Sequence, residues 1–473
     1  ARTLAAPRES PRSSATKTST RHPESTHRTP LLLPRISTGR ALALICALGL
    51  AATACSDPTA ENSGADAKRT AVDPIARLDG VKLTMWTAQN TVTAPKQVID
   101  AFEKATGARV ETQAVPDLYE QNVPTKLASG DRPDLMFWQP SISTLPFIQP
   151  KQNLLTLDDE PWVAKLGGTE QKLGVIDGKR YAAIVTSPAM LGVYYNKDVF
   201  RQAGLSEKDF PKSYDQLLAL GRTVTDKTDA AGFYEAGGDK WPLQWQMQLQ
   251  LTDLDPAWWD GLNKGEKKWT DPVVVAAIKK YKDKLLDAGL AQKNYRTGTF
   301  TGQADALWKG EAGMVLNVTS FQSQLQAKYS TAEIDQRIGW FPVANSSATG
   351  LYSPDQTNGV VAFRTGDEKR ENAARQFLAY WLGPDYTDYI AAMKIPSVQP
   401  SVPTPDGLPE TSKAQVAALP KAIGVFQAKA IVAPDTHLYL ADMIYGKKSP
   451  QQVAQAIQDQ FAQVAKAQGA PGF

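Results

Sequence analysis

Cysteine and histidine are almost missing from this chain: its 473 residues hold two Cys and three His. Cys46 lies inside an apolar stretch near the amino end, and Cys55 comes soon after it. His22 and His27 precede that stretch, which leaves His437 alone in the rest of the chain. This scarcity excludes His-rich zinc sites, Cys/His nucleophile pairs and a disulfide framework. A Ser-His-Asp triad would have to use His437, and no G-x-S-x-G elbow, Walker A, G-x-G-x-x-G or EF-hand loop occurs. An excess of one charge is missing too. The formal net charge is +3, but the first 54 residues carry eight Lys/Arg against two Asp/Glu. Residues 55–473 carry 44 basic and 47 acidic residues, a balance that argues against a nucleic-acid partner. A segment of about 400 residues buries enough apolar surface for two lobes without disulfides.

What is present begins with an export pattern. The stretch Ala41–Leu50 is apolar, Arg35 and Arg40 precede it, and Ala52-Thr53-Ala54-Cys55 closes it. That is a basic n-region, a short h-region and a small-residue cleavage site. It resembles a lipoprotein signal, in which cleavage before Cys55 leaves that residue to carry the acyl chains. It departs from that pattern at Ala52, where leucine is usual. The apolar run is too short for a membrane span, which needs ~20 residues. Residues 1–34 read as a disordered extension, 35–54 as the signal peptide, and 55–78, small and polar, as a flexible linker.

Order begins at Val81–Trp86, an alternating strand pattern. A helix from Pro95 to Thr106 ends at Gly107, a strand covers Ala108–Gln113, a helix covers roughly Asp117–Ser129, and a strand covers Asp134–Trp138. This alternation predicts βαβ units around a parallel sheet, with ligand beyond the carboxyl ends of the strands. The loops after Trp86 and Trp138 are therefore the first candidates. Later elements are strand Gly192–Asn196, helix Tyr214–Thr225, a Trp-rich section from Trp241 to Trp269, and helix Pro272–Ala288. Then come strands Ala312–Asn317, Ile338–Pro342 and Val360–Phe363, with helices Glu371–Leu382 and Pro450–Ala467. Asp158-Asp159-Glu160 reads as a solvated turn.

Several segments together carry a family resemblance. They include Lys82–Trp86, Phe102–Val110, Lys126–Trp138, Gly192–Phe200, Phe300–Asn317, Ile338–Pro342 and Ser449–Ala456. In order and spacing they resemble the extracellular solute-binding proteins of ABC importers, in particular the family 1 sugar-binding branch that includes maltose-binding protein. The resemblance implies an α/β, two-lobe, type II periplasmic-binding-protein-like fold with a hinge and an interlobe cleft. Lobe 1 would be residues 79–187 and 342–394, and lobe 2 residues 188–341 and 395–473. The hinge crossings would fall near Ile184–Pro188, Phe341–Val343 and Lys394–Ser397.

A sugar site wants an aromatic plate, with amides and carboxylates around it. Carried over from the branch, Trp138 would be such a plate, with Gln139 and Ser141 on the same loop. Gln89 and Asn90 would hydrogen-bond from the loop after the first strand. Gly238, Asp239 and Trp241 would supply close backbone approach, a hydroxyl acceptor and a second plate. Asn317, with Thr319 or Ser320 beside it, would end the 312–317 strand. Asp435, His437 and Tyr439 would enter from the C-terminal loop, and Asp355 and Asn358 are further candidates. No cofactor, metal or catalytic residue is expected. The function implied is a monomeric, membrane-anchored receptor outside the cytoplasm that closes on a mono- or oligosaccharide and delivers it to a permease. A polyamine or phosphorylated solute is the alternative ligand. An exported enzyme acting on polysaccharide through Asp239 and Asp435 is the alternative activity.

Overall fold

Among the described residues, thirteen short strands build two mixed sheets and a hairpin. The computed structural model describes residues 70–88, 96–116, 119–252, 254–343, 350–354 and 357–473, all within the unit Asp66–Phe473. The candidates Cys55, Gln89, Asn90 and Asp355 lie outside the described residues. The strands are β1 (Lys82–Ala88), β2 (Arg109–Val115), β3 (Leu135–Trp138), β4 (Val175–Ile176), β5 (Lys179–Arg180), β6 (Ala182–Ile184) and β7 (Ala189–Asn196). Then come β8 (Ala231–Phe233), β9 (Ala312–Val318), β10 (Ile338–Phe341), β11 (Leu351–Ser353), β12 (Gly359–Ala362) and β13 (Ile423–Gly424).

The first sheet has the order β2-β1-β3-β12-β6. As the βαβ spacing predicts, β1 runs parallel to β2 and β3, while β12 is antiparallel to β3 and β6. Both faces are covered, so the period of two separates two apolar layers. Leu83, Met85, Leu135 and Phe137 pack with helices Lys96–Thr106 and Glu368–Trp381, whereas Trp86, Met136 and Trp138 form the opposite layer. The second sheet has the order β13-β11-β7-β9-β8, with β10 also on β7. Along β7, Leu191, Val193 and Tyr195 join one core, while Met190 and Tyr194 join another.

Most of the Trp-rich section is core: Trp245, Trp258, Trp259 and Trp269 are buried, and Trp241 is half-buried. Trp258, Trp259 and Trp269 stack edge to face with one another, beside Phe426 and Phe461. The last helix runs Pro450–Ala467 as its pattern predicts. Ser449 and Gln452 form a capping box, Pro450 opens the first turn, and Val453, Ile457 and Phe461 are buried. The helix expected over Pro272–Ala288 is instead two segments. It is α-helical to Lys280 and then widens into a π-turn, Tyr281–Leu286, which sends the Tyr281 hydroxyl to the Glu235 carboxylate at 2.9 Å.

Three connections join the sheets. The chain leaves β6 and enters β7 across residues 185–188. The second passage is not at Phe341–Val343, because β11 still pairs with β7; it lies between β11 and β12. The third is also later than expected. Ile395, Val398 and Val402 pack on the first core, and helix Glu410–Ala418 on the second side begins only afterwards. Burial of apolar positions decides both shifts, since a proline marks a bend but not the side on which it lies. Two passages touch: Val185 N–H donates to the Asn358 carbonyl at 3.3 Å, and Asn358 N–H donates to Thr186 Oγ1 at 3.0 Å. The Asp158–Glu160 turn is not fully solvated, because Glu160 is buried and paired with Arg375 Nε at 2.6 Å.

Candidate solute-binding cleft

A cavity of about 700 Å³ opens where the connections meet the two sheets. Its first wall is the carboxyl end of β1 and β3, with Ala88, Phe137, Trp138 and Gln139, and the start of helix Tyr119–Ala128. Its floor is the passages: Thr186–Pro188, Thr357–Asn358 and Lys394–Pro396. Its second wall lies beyond the end of β9, with Thr319, Ser320, Gln322, Ser323 and Gln326, and adds Ser412 and Gln415 from helix Glu410–Ala418. Residues bearing hydroxyls and amides are numerous on the lining, set among apolar ones that include Phe137, Trp138, Met190, Ile395 and Val416. Among the described residues, Glu120 and Lys394 are the only charged side chains on its lining. Lys394 sits in the left-handed region, φ 50°, where it ends helix Tyr386–Met393.

Of the candidate ligand contacts, Trp138 and Gln139 border this cavity. Trp138 is only 3% exposed, and its indole N–H donates to the Thr144 carbonyl at 2.9 Å. It is at once core and cleft wall. Gln139 Nε2 donates to Glu120 at 2.6 Å. Asn358, Thr319 and Ser320 also reach the cavity, but Asn317 does not. The strand β9 runs through Val318, so Asn317 sits inside the ladder, fully buried. Its Nδ2 donates to Gln303 at 2.9 Å.

Gly238, Asp239, Trp241, Asp435, His437 and Tyr439 do not border the cavity. Gly238, Asp239 and Lys240 lie in an exposed loop. Trp241 N–H donates to the Asp239 carbonyl at 2.7 Å across Lys240, whose φ is 64° and ψ −53°. That is a strained γ-turn. The Asp239 carboxylate pins it by accepting the Phe300 N–H. Trp241 is half-buried, 4.9 Å from the Phe300 ring. The Asp435 carboxylate accepts from Gln460 Nε2 at 2.7 Å, and Tyr439 packs partly on the core. His437 is half-buried, and burial lowers its pKa. Asp435 and Glu120 oppose that shift, while Lys240 adds to it. Glu120 belongs to the cavity wall, so His437 lies within electrostatic reach of the cleft.

The loop after Trp138 also reaches the other side of the molecule. Ser141 Oγ contacts Thr144 Oγ1 at 2.7 Å and Ser143 Oγ at 2.9 Å, and Ser143 donates to the Gln427 carbonyl at 3.0 Å. Gln427 Nε2 donates to Gln244 at 3.0 Å, and Gln244 Nε2 donates to the Trp241 carbonyl at 3.0 Å. A seam of neutral hydrogen bonds therefore links Trp138 to Trp241.

The chain belongs to the bacterial extracellular solute-binding proteins: the family model matches residues 87–388. Among solved structures the fold is similar to that of a chitin oligosaccharide binding protein. There the TM-score is 0.67 at 21% identity, covering 81% of this chain and 98% of that one. It is similar to a sugar transporter protein of Bacillus licheniformis solved with stachyose, with a TM-score of 0.61 at 18% identity, covering 81% of this chain and 100% of that one. It is also similar to RafE of Streptococcus pneumoniae solved with raffinose, with a TM-score of 0.63 at 20% identity, covering 80% of this chain and 98% of that one. A search of curated proteins returns no match. The fold is the two-lobe, periplasmic-binding-protein-like architecture. Among the described residues no group of three or more His, Cys, Asp or Glu is placed to hold a metal, and no helix is long and apolar enough to cross a membrane.

Proposed function

We propose that the protein captures a neutral oligosaccharide in the 700 Å³ cleft and presents it to an ABC permease, tethered to the membrane through Cys55. The observation that carries this reading is the composition of the lining: many hydroxyls and amides, the indole of Trp138, one acid and one base. Sugars offer hydroxyls in every direction and flat C–H faces, which such a wall matches. A polyamine would want several carboxylates, but Asp239 and Asp435 are engaged elsewhere and, among the described residues, only Glu120 is an acid on the lining. A phosphorylated solute would want clustered cations, and among the described residues Lys394 is the one cation on the lining. Structural relatives solved with stachyose and raffinose support the same class.

Capture works by population shift. A solute that touches both walls gains contacts only when they approach, so it draws the hinge toward the closed form. No chemical step is assigned to any residue. Thermal shift over a panel of neutral, amino and acidic sugars tests the reading. Ligand at 100 times Kd adds about 2.7 kcal/mol of stability, so a neutral oligosaccharide should raise the Tm by several degrees. Stabilisation only by spermidine or sugar phosphates would refute it. Product analysis after incubation should show intact glycan.

A further inference from the structure

We propose that Gln322 and Gln415 form a second contact subsite on the wall of the cleft opposite Trp138, one that takes a hydroxyl-bearing ring beyond the one at Trp138. This rests on the oligosaccharide reading above. Both residues border the cavity, and both are 3% exposed. They stand on different helices, Phe321–Gln326 and Glu410–Ala418. Each uses one end of its amide within the protein. Thr411 Oγ1 donates to Gln322 Oε1 at 2.6 Å, and Gln415 Nε2 donates to the Tyr194 hydroxyl at 2.7 Å. The other ends, Gln322 Nε2 and Gln415 Oε1, are buried without a partner.

An unpaired buried amide atom costs about 1–3 kcal/mol. Turning either amide over does not remove that cost, because Thr411 and Tyr194 can serve only one end at a time. The wall therefore holds one polar atom on each helix that the protein itself does not satisfy. As the amides are turned, one is a donor and the other an acceptor. An ammonium group would leave the donor unmet, and a phosphate would repel the acceptor. A sugar hydroxyl, being both donor and acceptor, serves either. Ser323, Gln326 and Ser412 lie on the same stretch of wall and extend the same chemistry. Trp138 belongs to the opposite wall, so a solute that meets both groups bridges the cleft.

Isothermal titration of the mature protein with galactose, raffinose and stachyose tests this, using Gln322→Met and Gln415→Met. Each variant should bind raffinose or stachyose about tenfold more weakly, the value of one hydrogen bond of ~1.4 kcal/mol. Galactose binding at the Trp138 end should change less than twofold. Unliganded melting supplies a readout that needs no sugar. Each Met variant loses one bond and exchanges the amide orphan for the hydroxyl left behind on Thr411 or Tyr194, so its Tm should fall by only a degree or two. Gln303→Met is the control: Gln303 is outside the cleft lining and paired at both ends, to Asn317 at 2.9 Å and the Tyr234 carbonyl at 3.1 Å. It should melt several degrees lower. A fall in the two cleft variants matching Gln303→Met, or unchanged trisaccharide affinity in both, overturns the subsite. If no glycan binds the wild type, the receptor reading falls and the melting comparison alone judges the two amides.

Discussion

The Glu235 carboxyl is a solitary acid in a core, and replacing it with glutamine should stabilise the protein above neutral pH. It is 5% exposed, and Gln246 Nε2 donates to it at 2.6 Å and the Tyr281 hydroxyl at 2.9 Å. Tyr214 completes the cluster by donating to Gln246 at 2.9 Å. Burial pushes its pKa up from 4.5 to about 7, against the pull of the two donors. A folded-state pKa above the unfolded value means that the native protein holds the proton more tightly. The associated stability is complete below pH 4.5 and is lost as pH rises toward 7. The shift of about 2.5 units corresponds to ~3 kcal/mol. Glu235→Gln removes that cost but must turn one hydroxyl, Tyr281, to accept, a loss of about 1 kcal/mol. The variant should therefore gain about 2 kcal/mol at pH 8.5 and lose about 1 kcal/mol at pH 4.5. Urea unfolding followed by tryptophan fluorescence between those values gives the difference curve. Parallel pH profiles for the two proteins would refute the reasoning, because they would mean that Glu235 does not change charge differently on folding.

Arg375→Ala leaves Glu160 buried without its Nε donor and also removes the Arg375 bond to the Thr70 carbonyl at 3.1 Å. It should cost about 3–5 kcal/mol in urea denaturation. Trp138→Ala should lose stability as well as affinity, about 3–5 kcal/mol, since the ring is core as well as wall; calorimetric melting checks the first effect and titration with raffinose the second. His437 is held below its usual pKa chiefly by burial, so the folded state resists protonating it and stability falls with acid below about pH 6.5. His437→Gln should flatten that limb of a Tm-against-pH profile. Lys240→Gly should raise the Tm, because glycine accepts φ 64° without steric cost.

Much of the architecture was legible because period and punctuation agree. The alternation in Lys82–Trp86 and the stop at Gly107 mark strand and helix, and Ser449-Pro450 with Gln452 announces the last helix at its first residue. The passages were harder. Pro342 and Pro396 mark bends, but only packing tells on which side Leu351 or Val398 will bury. In the cleft, the position of Trp138 is explained by its place at a strand end. Asn317 misleads for the complementary reason: one more residue of strand, Val318, keeps it inside the ladder. Gln322 and Gln415 were overlooked although a signal existed. They occupy helix positions that burial would normally give to leucine, and a polar residue on a core face asks for a partner. Glu235 hides in the same way, next to the Gly237-Gly238 pair that draws the eye.

The seam from Trp138 through Ser143 and Gln427 to Trp241 is made of hydroxyls, carbonyls and carboxamides. Ion pairs lose strength when electrolyte shortens their reach to about 8 Å at 0.15 M, whereas dipolar contacts of this kind do not. The grip of the two halves on each other should thus be as firm in brine as in fresh water. An extracellular protein meets whatever salinity its surroundings impose, and two halves joined this way hold together in either.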